Sequence, residues 1–337
     1  MHINIFVSLL LLIICSTACA EEDRQQVRIV GSSTVYPFVT VAAEHFGKET
    51  DFKTPVVEST GTGGGFKLFC QGDNRNTPDM VNASRPIKAS EKKLCRENGV
   101  HEVQEITLGY DGIVLANASN ARKFELTRKQ IFLALAKQVP VKGKLVENPY
   151  ERWNQINPEL PNIPISVYGP PPTSGTRDAF VELVMDEGCA TFPEYKQIFL
   201  ESNDYKKACH LLREDGRFVD SSENDNLIVM KLKTNPEALG IFGFSFLEQN
   251  REHVQPAKIE GVEPLFDTIA DGSYRVSRPL FTYVKTAHYA LIPALRPFIE
   301  ELTSERAIGV EGYLLLRGLI PLPPEKAREN IRIISLD

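Results

Sequence analysis

The sequence RIVGSSTVYPF at residues 28–38 indicates the fold class of this chain. The run from Val27 to Val30 is rich in β-branched residues and predicts a strand. It leads into the loop Gly31-Ser32-Ser33-Thr34, and Pro37 suits the first turn of a helix that follows. A strand, a loop of glycine and hydroxyl residues and a helix therefore follow one another, as in α/β proteins.

The same order occurs twice more along the chain. The strand predicted at Pro55 to Glu58 is followed by STGTGGG, residues 59–65. The strand predicted at Ile165 to Tyr168 is followed by GPPPTSGT, residues 169–176. Alternating strand and helix patterns over the whole chain predict the α/β class.

These three loops have the chemistry of an anion site. The N-terminus of a helix carries unpaired amide groups and a partial positive charge, and glycine lets a ligand approach the backbone. Ser and Thr hydroxyls add donors of adjustable direction. One such loop is usually an ordinary helix cap. Three of them can converge and surround a tetrahedral oxyanion.

Three charged residues near the loops are further candidates. Arg177, directly after the third loop, could make a bidentate contact with an oxyanion, or it could be solvated or pair with Asp178. Arg85 could reach the same cleft or form a structural ion pair with Glu58. Asp111 could face the cleft, although an Asp-Gly pair is also an ordinary turn.

Composition and motifs narrow the function classes. The 337 residues are 42% hydrophobic and 24% charged, which is typical of a globular protein. The net charge of −6 argues against nonspecific nucleic-acid binding. No nucleophile elbow and no metal-spaced histidine or cysteine set occurs in the sequence. We therefore expect that the protein is not an enzyme and that it binds neither a metal ion nor a cofactor.

The N-terminus has the features of a secretory leader. Residues 1–20 contain an apolar stretch and end in Ala18-Cys19-Ala20, a pattern for signal-peptidase cleavage. The alternative is lipid attachment at Cys19. No later stretch is long and apolar enough to span a membrane. The mature chain is thus expected to be exported, either free or held by lipid alone.

Four cysteines remain after the leader. An even number in an exported chain indicates disulfides. Neighbouring cysteines predict the pairs Cys70–Cys95 and Cys189–Cys209, although three pairings are possible in principle. A zinc site is the alternative, but the chain has no Cys-x-x-Cys spacing.

Two lobes are expected from the length and the order of elements. Residues 21–112 and 249–337 would form a discontinuous lobe I, and residues 113–248 would form lobe II. The chain would therefore cross between the lobes twice.

Four motifs together resemble one family. They are residues 28–38, then ESTGTGGGF at 58–66, PDMVNASR at 78–85 and TSGTR at 173–177. In combination they resemble the PstS-like phosphate-binding proteins of ABC transporters, and the resemblance covers nearly the whole mature chain.

The resemblance implies a fold and a set of ligand residues. The fold is the periplasmic-binding-protein type II fold, with two α/β lobes joined by a two-stranded hinge and phosphate in the cleft. By match to the family's motifs, lobe I would contribute Ser33, Thr34 and Thr62, and lobe II would contribute Ser174, Gly175 and Thr176.

The resemblance also implies a function, namely a monomeric periplasmic protein that captures inorganic phosphate and delivers it to an ABC permease. A phosphate-sensing or interaction module is the main alternative, binding of sulfate is another, and a secreted phosphatase is disfavoured. Two positions depart from the better-known branch of the family. Arg85 stands where that branch has a proton-accepting aspartate, and Pro170 stands where it has an arginine. Glu58 or Asp111 could replace the acceptor.

Overall fold

The computed structural model describes residues 24–221 and 225–335 and has the expected α/β architecture. The leader predicted at residues 1–20, with its alternative lipid site at Cys19, lies outside the described residues. Within the described ranges, no helix has both the length and the apolar character needed to cross a membrane.

The strands of the described chain, labelled in sequence order, are β1 (Arg28–Gly31), β2 (Val56–Ser59), β3 (Met80–Ala83), β4 (Val103–Ala118), β5 (Glu125–Leu126), β6 (Gln138–Val141), β7 (Lys144–Glu147), β8 (Val167–Gly169), β9 (Phe218–Asp220), β10 (Leu239–Gly243), β11 (Val254–Pro256), β12 (Lys258–Ile259) and β13 (Ser277–Lys285).

The helices are α1 (Tyr36–Glu49), α2 (Thr62–Phe69), α3 (Ala89–Glu97), α4 (Arg128–Leu135), α5 (Trp153–Ile156), α6 (Gly175–Phe180), α7 (Asp186–Cys189), α8 (Pro193–Ile198), α9 (Ser202–His210), α10 (Asp225–Thr234), α11 (Phe244–Gln249), α12 (Phe266–Ala270), α13 (His288–Leu291), α14 (Leu295–Leu302), α15 (Glu305–Ile308) and α16 (Pro324–Ser335). A π-helical turn, Val181–Met185, joins α6 to α7, and a 3₁₀ turn spans Leu315–Arg317.

Lobe I is a sheet with helices on both faces. Its strands lie in the order β2-β1-β3-β13-β4, with β1 parallel to β2 and β3, and β13 antiparallel to β3 and β4. Residues of α1 and α14 form one apolar core with one face of this sheet, whereas residues of α2 and α3 form a second core with the other face. The parallel strands β1, β2 and β3 therefore direct their carboxyl ends, and the loops that follow, to one edge.

Lobe II is built on the second half of β4. This half pairs in antiparallel fashion with β10 and β11, and β10 is followed in the sheet by β8 and then β9, both parallel. Because the 16-residue strand β4 belongs to both halves, the sheet continues from one lobe into the other.

The hinge consists of two paired strands, as the fold class implies. Strand β13 runs antiparallel to β4, and Arg278 lies opposite Asp111 where β4 passes between the lobes. The apolar core of lobe II also includes Val254, Ile259 and Val276. Residues 249–276 therefore pack with lobe II, and we place the second crossing near residue 276 rather than at the predicted 248/249 boundary.

Close backbone packing explains two glycines of the predicted loops. Gly31 has φ +130°, and a Cβ atom there would lie 2.2 Å from the carbonyl oxygen of Asn82. A Cβ atom at Gly65 would lie 2.6 Å from the Cα atom of Gly31. Glycine thus lets α2 and β3 approach the end of β1, and Gly65 belongs to a helix rather than to a loop.

Both expected cysteine pairs are bonded in the structure. Cys70–Cys95 joins the end of α2 to α3, and Cys189–Cys209 joins α7 to α9. Each bridge closes a loop within one lobe, so neither crosses the hinge or restricts the lobes relative to each other.

Candidate functional site

The first predicted loop connects β1 to α1 and lies at the edge of lobe I that faces lobe II. Its backbone is fixed by β3, because the amide of Ser32 donates a hydrogen bond to the carbonyl of Asn82 at 2.9 Å. The side chain of Thr34 is buried, whereas that of Ser33 is half-buried. The loop therefore presents its hydroxyls from a rigid support.

The second loop is shorter than the sequence pattern predicts. Helix α2 begins at Thr62, and Gly61, with φ +70°, is its N-cap. The hydroxyl of Thr62 accepts a hydrogen bond from the amide of Ser84 at 3.3 Å and lies 3.3 Å from the hydroxyl of Ser84. Ser84 follows β3, so two loops of lobe I bring hydroxyl groups to the same place.

The third loop starts a long helical segment of lobe II. Ser174 is the N-cap of α6, and its hydroxyl accepts a hydrogen bond from the amide of Thr176 at 3.2 Å. Helix α6, the π turn and α7 follow one another without a break from Gly175 to Cys189. The N-terminus of this segment points to the cleft edge, where the helix dipole favours an anion.

The first and third loops meet across the cleft. The hydroxyl of Ser33 donates a hydrogen bond to a carboxylate oxygen of Asp178 at 2.8 Å. A Cβ atom at Gly175 would lie 3.6 Å from the carbonyl oxygen of Ser33 and 3.7 Å from the Cα atom of Thr34. The structure therefore brings predicted ligand residues of both lobes into contact.

The two predicted arginines have partners inside their own lobes. Arg177 donates to Asp220 at 2.8 Å and to the carbonyl of Pro170 at 2.9 Å, and its guanidinium lies 4.7 Å from the ring centroid of Phe218. The alternative partner considered from the sequence, Asp178, contacts Ser33 instead.

Arg85 forms a bidentate pair with Glu91, at 2.9 and 2.7 Å. Glu58, which we considered as its partner, instead lies 3.5 Å from Arg28. Glu91 follows Arg85 by six residues and caps the start of α3, so a local contact is favoured over a long-range pair. Both guanidinium groups are thus paired with carboxylates of their own lobe, and that of Arg85 stays close to the first turn of α2, because a Cβ atom at Gly63 would lie 3.9 Å from it.

Asp111 lies at the hinge and faces Arg278. Its carboxylate is 3.5 Å from the Nε atom of Arg278. Burial raises the pKa of Asp111, and the positive charge of Arg278 limits this rise. The Asp-Gly turn that the sequence allowed is not formed, because Asp111 and Gly112 are part of β4.

Two charged residues of this region, Arg278 and Glu182, were not predicted from the sequence, and Asp178 was considered only as a partner of Arg177. Arg278 donates to the hydroxyl of Thr34 at 2.8 Å and also to Glu182, and Asp178 accepts from Ser33. Arg278 stands in Ser-Arg-Pro at the start of strand β13, so it is not part of a strand, loop and helix sequence like the three predicted loops. Long-range pairing of β13 with β4, rather than any local motif, brings it to the cleft.

Comparisons with known proteins agree with this geometry. A family model described as a PBP superfamily domain matches residues 17–306. Protein SphX of Synechocystis is 31% identical over 95% of this chain and 85% of its own length. The phosphate-binding protein PstS of Staphylococcus saprophyticus is 30% identical over 89% of this chain and 81% of its own length.

The fold also resembles a solved structure. The crystal structure of a "possible phosphate binding protein" from Planctomyces limnophilus superimposes with a TM-score of 0.73 at 25% identity. The match covers 92% of this chain and 97% of the other. The described architecture is thus shared over nearly the whole length of both proteins.

Proposed function

Because this chain belongs to the PBP superfamily, among its PstS-like proteins, we propose that it is an exported solute-binding protein for inorganic phosphate. It captures phosphate between its two lobes and delivers it to an ABC permease. The named relative PstS is a phosphate-binding protein, and four sequence motifs of this chain resemble those of that family.

One observation carries the proposal. The loop after β1 and the N-terminus of α6 come from different lobes, and they meet at the 2.8 Å hydrogen bond between Ser33 and Asp178. Hydroxyls and helix N-termini from both sides can replace the water around an anion, which compensates for its desolvation. The proposed donors are Ser33, Thr34 and Thr62 of lobe I and Ser174, Gly175 and Thr176 of lobe II.

Binding without chemical conversion fits the groups present. Among the described residues, no cluster of three or more His, Cys, Asp or Glu side chains could hold a metal ion. The hydroxyls of Thr62 and Ser174 contact other loop groups, and that of Ser33 donates directly to the carboxylate of Asp178 with no histidine between them. We therefore propose a binding protein of the periplasm that acts by capture and release.

Calorimetric titration of the purified mature chain tests the function. Phosphate should bind with a stoichiometry of one, and sulfate should bind more weakly. A chain that binds sulfate but not phosphate would contradict the proposal. Deleting the gene should reduce phosphate uptake at low external phosphate, and unchanged uptake would contradict the role in delivery. Release of phosphate from a generic phosphate ester would instead indicate an enzyme.

A further inference from the structure

Arg278 occupies the point where both lobes and the hinge meet. Its guanidinium donates to Thr34 of lobe I at 2.8 Å and to Glu182, which lies in the π turn of lobe II. Its Nε atom is 3.5 Å from Asp111 on the paired hinge strand. One side chain therefore contacts lobe I, lobe II and the hinge.

The hydrogen bonding of this arginine is incomplete. The side chain of Arg278 is only 9% exposed, and that of Asp111 is 14% exposed. The Nε atom of Arg278 and one carboxylate oxygen of Asp111 are buried without a hydrogen-bond partner in the described chain. These two atoms face each other at 3.5 Å, an ion pair longer than a normal hydrogen bond, so the Nε–H of Arg278 can turn toward an anion without breaking a short hydrogen bond.

All three candidate cations pair with carboxylates, and they differ in what else they contact. Arg177 is held by Asp220, and Arg85 is held in a bidentate pair by Glu91. Arg278, by contrast, contacts the hydroxyl of Thr34, which is one of the proposed ligand groups. A positive charge beside a buried dianion strengthens binding beyond what neutral donors provide, because hydrogen bonds between charged groups are the stronger ones.

We infer that Arg278 supplies the positive charge that neutralises the bound tetrahedral anion, and that Asp111 is its counter-charge rather than a ligand of the anion. This inference rests on the proposed function. Asp111 and Glu182 hold the guanidinium at the hinge, and the anion competes with them for it. The hinge position lets the same cation serve ligand groups of either lobe.

The inference predicts that two substitutions change the phosphate affinity in opposite directions. Arg278→Gln removes the charge and should weaken phosphate binding by about tenfold to a hundredfold, the value of a hydrogen bond to a charged group. Arg278→Lys should lie between this variant and wild type, because an ammonium keeps the charge but loses the fork geometry. Asp111→Asn removes a competing negative charge and should strengthen binding by about fivefold or more.

A purely structural role would give another result. If Arg278 and Asp111 only supported the hinge, both neutral variants would weaken binding and lower the unfolding temperature together. Arg128→Gln is the matched control, because Arg128 pairs with Glu260 in lobe II rather than with Thr34 or Asp111. It removes the same charge from the whole molecule and should leave affinity within about twofold of wild type.

The experiment measures phosphate affinity by calorimetry, and ligand-free unfolding temperature, for wild type and these four variants at one salt concentration. Opposite changes for Arg278→Gln and Asp111→Asn, with an unchanged control, are expected. An Arg278→Gln protein within twofold of wild type would overturn the inference, and so would an Asp111→Asn protein that binds more weakly. Failure of wild type to bind phosphate would instead refute the proposed function itself.

Discussion

Hydroxyl groups and charged groups reach this cleft in different ways. The hydroxyl of Thr62 lies in a local motif, at the first residue of a helix, where both the hydroxyl and the free amides point outward. The guanidinium of Arg278 arrives through strand pairing across more than 160 residues. Residue patterns therefore reveal the proposed donors of the site better than its proposed charges.

The hydroxyl donors give the first prediction. Thr62→Ala and Thr176→Ala should each weaken phosphate binding by about tenfold to a hundredfold, because each removes a donor to a buried charge. Thr50→Ala is the control, since its hydroxyl donates only to the carbonyl of Phe46 at the end of α1. Titration calorimetry measures all three. Wild-type affinity in the Thr62 or Thr176 variant would show that the loop is only a helix cap.

Arg177 gives a second prediction at this scale. Its contacts with Asp220 and Pro170 link α6 to β9 within lobe II, and the side chain is 13% exposed. Arg177→Ala should therefore lower the unfolding temperature and leave phosphate affinity within about twofold of wild type. Affinities that fall in the order wild type, Arg177→Lys, Arg177→Ala would instead support the direct contact considered from the sequence.

At the scale of elements, a buried ionic cluster fixes the segment before β1 to the base of lobe I. Asp79, just before β3, accepts hydrogen bonds from Arg24 at 2.7 and 2.9 Å and from the backbone amide of Arg28. It also contacts His288 at 2.6 Å. The cluster ties the segment before β1 to β3 and α13, at the end of the sheet opposite the cleft loops.

The pKa of Asp79 determines how this cluster responds to acid. Burial alone would raise this pKa, but hydrogen bonds from Arg24 and His288 outweigh it and hold the pKa below its ordinary 3.8. A carboxyl group whose pKa is lower in the folded state stabilises the fold at pH values above its unfolded pKa. This stabilisation is lost as the pH falls toward the folded pKa.

Asp79→Asn should therefore destabilise the protein at pH 7 by about 3–5 kcal/mol, the cost of leaving buried cations unpaired. The difference from wild type should shrink as the pH drops below about 4, where the unfolded carboxyl of wild type also takes up a proton. Urea unfolding at several pH values measures it. Asp51→Asn is the control, because Asp51 is exposed and follows α1, outside this cluster. A difference that does not change with pH would contradict this account.

At the scale of the whole molecule, the two lobes share one sheet and have largely separate cores, although Ile320 and Leu322 of the C-terminal segment join the apolar cluster of lobe II. Strand β4 and strand β13 are the hinge elements, and the apolar clusters of lobe I and lobe II lie on either side of them. The cleft contacts between Ser33 and Asp178 and between Thr34 and Arg278 are polar, so opening the cleft exchanges them for hydrogen bonds to water. Opening at the hinge should thus be inexpensive without ligand.

Phosphate should therefore compact the molecule in solution. Small-angle X-ray scattering of the mature chain is expected to give a smaller radius of gyration with saturating phosphate than without it, since the anion bridges donors of both lobes. Thr62→Ala at the same phosphate concentration should show less compaction. An identical scattering curve with and without phosphate would show that the lobes stay closed regardless of ligand.

The fold class, the loops and the disulfide pairs of this protein could be predicted from the sequence alone. Strand, loop and helix signals are short-range, so residues 28–38 and 173–177 reveal their structure without the rest of the chain. The cysteine pairs were equally accessible, because each joins neighbouring segments. The family resemblance followed from the same local motifs.

The partners of the charged side chains and the position of the second crossing between the lobes became clear only in the tertiary structure. Glu91 and Asp220, rather than the cleft, engage Arg85 and Arg177, and a side chain of four or more rotatable bonds can reach several partners that sequence spacing cannot rank. The position of Arg278 depends on the register between β13 and β4. Strand register is set by packing of the whole sheet, which is why the hinge arginine became visible only in the folded molecule.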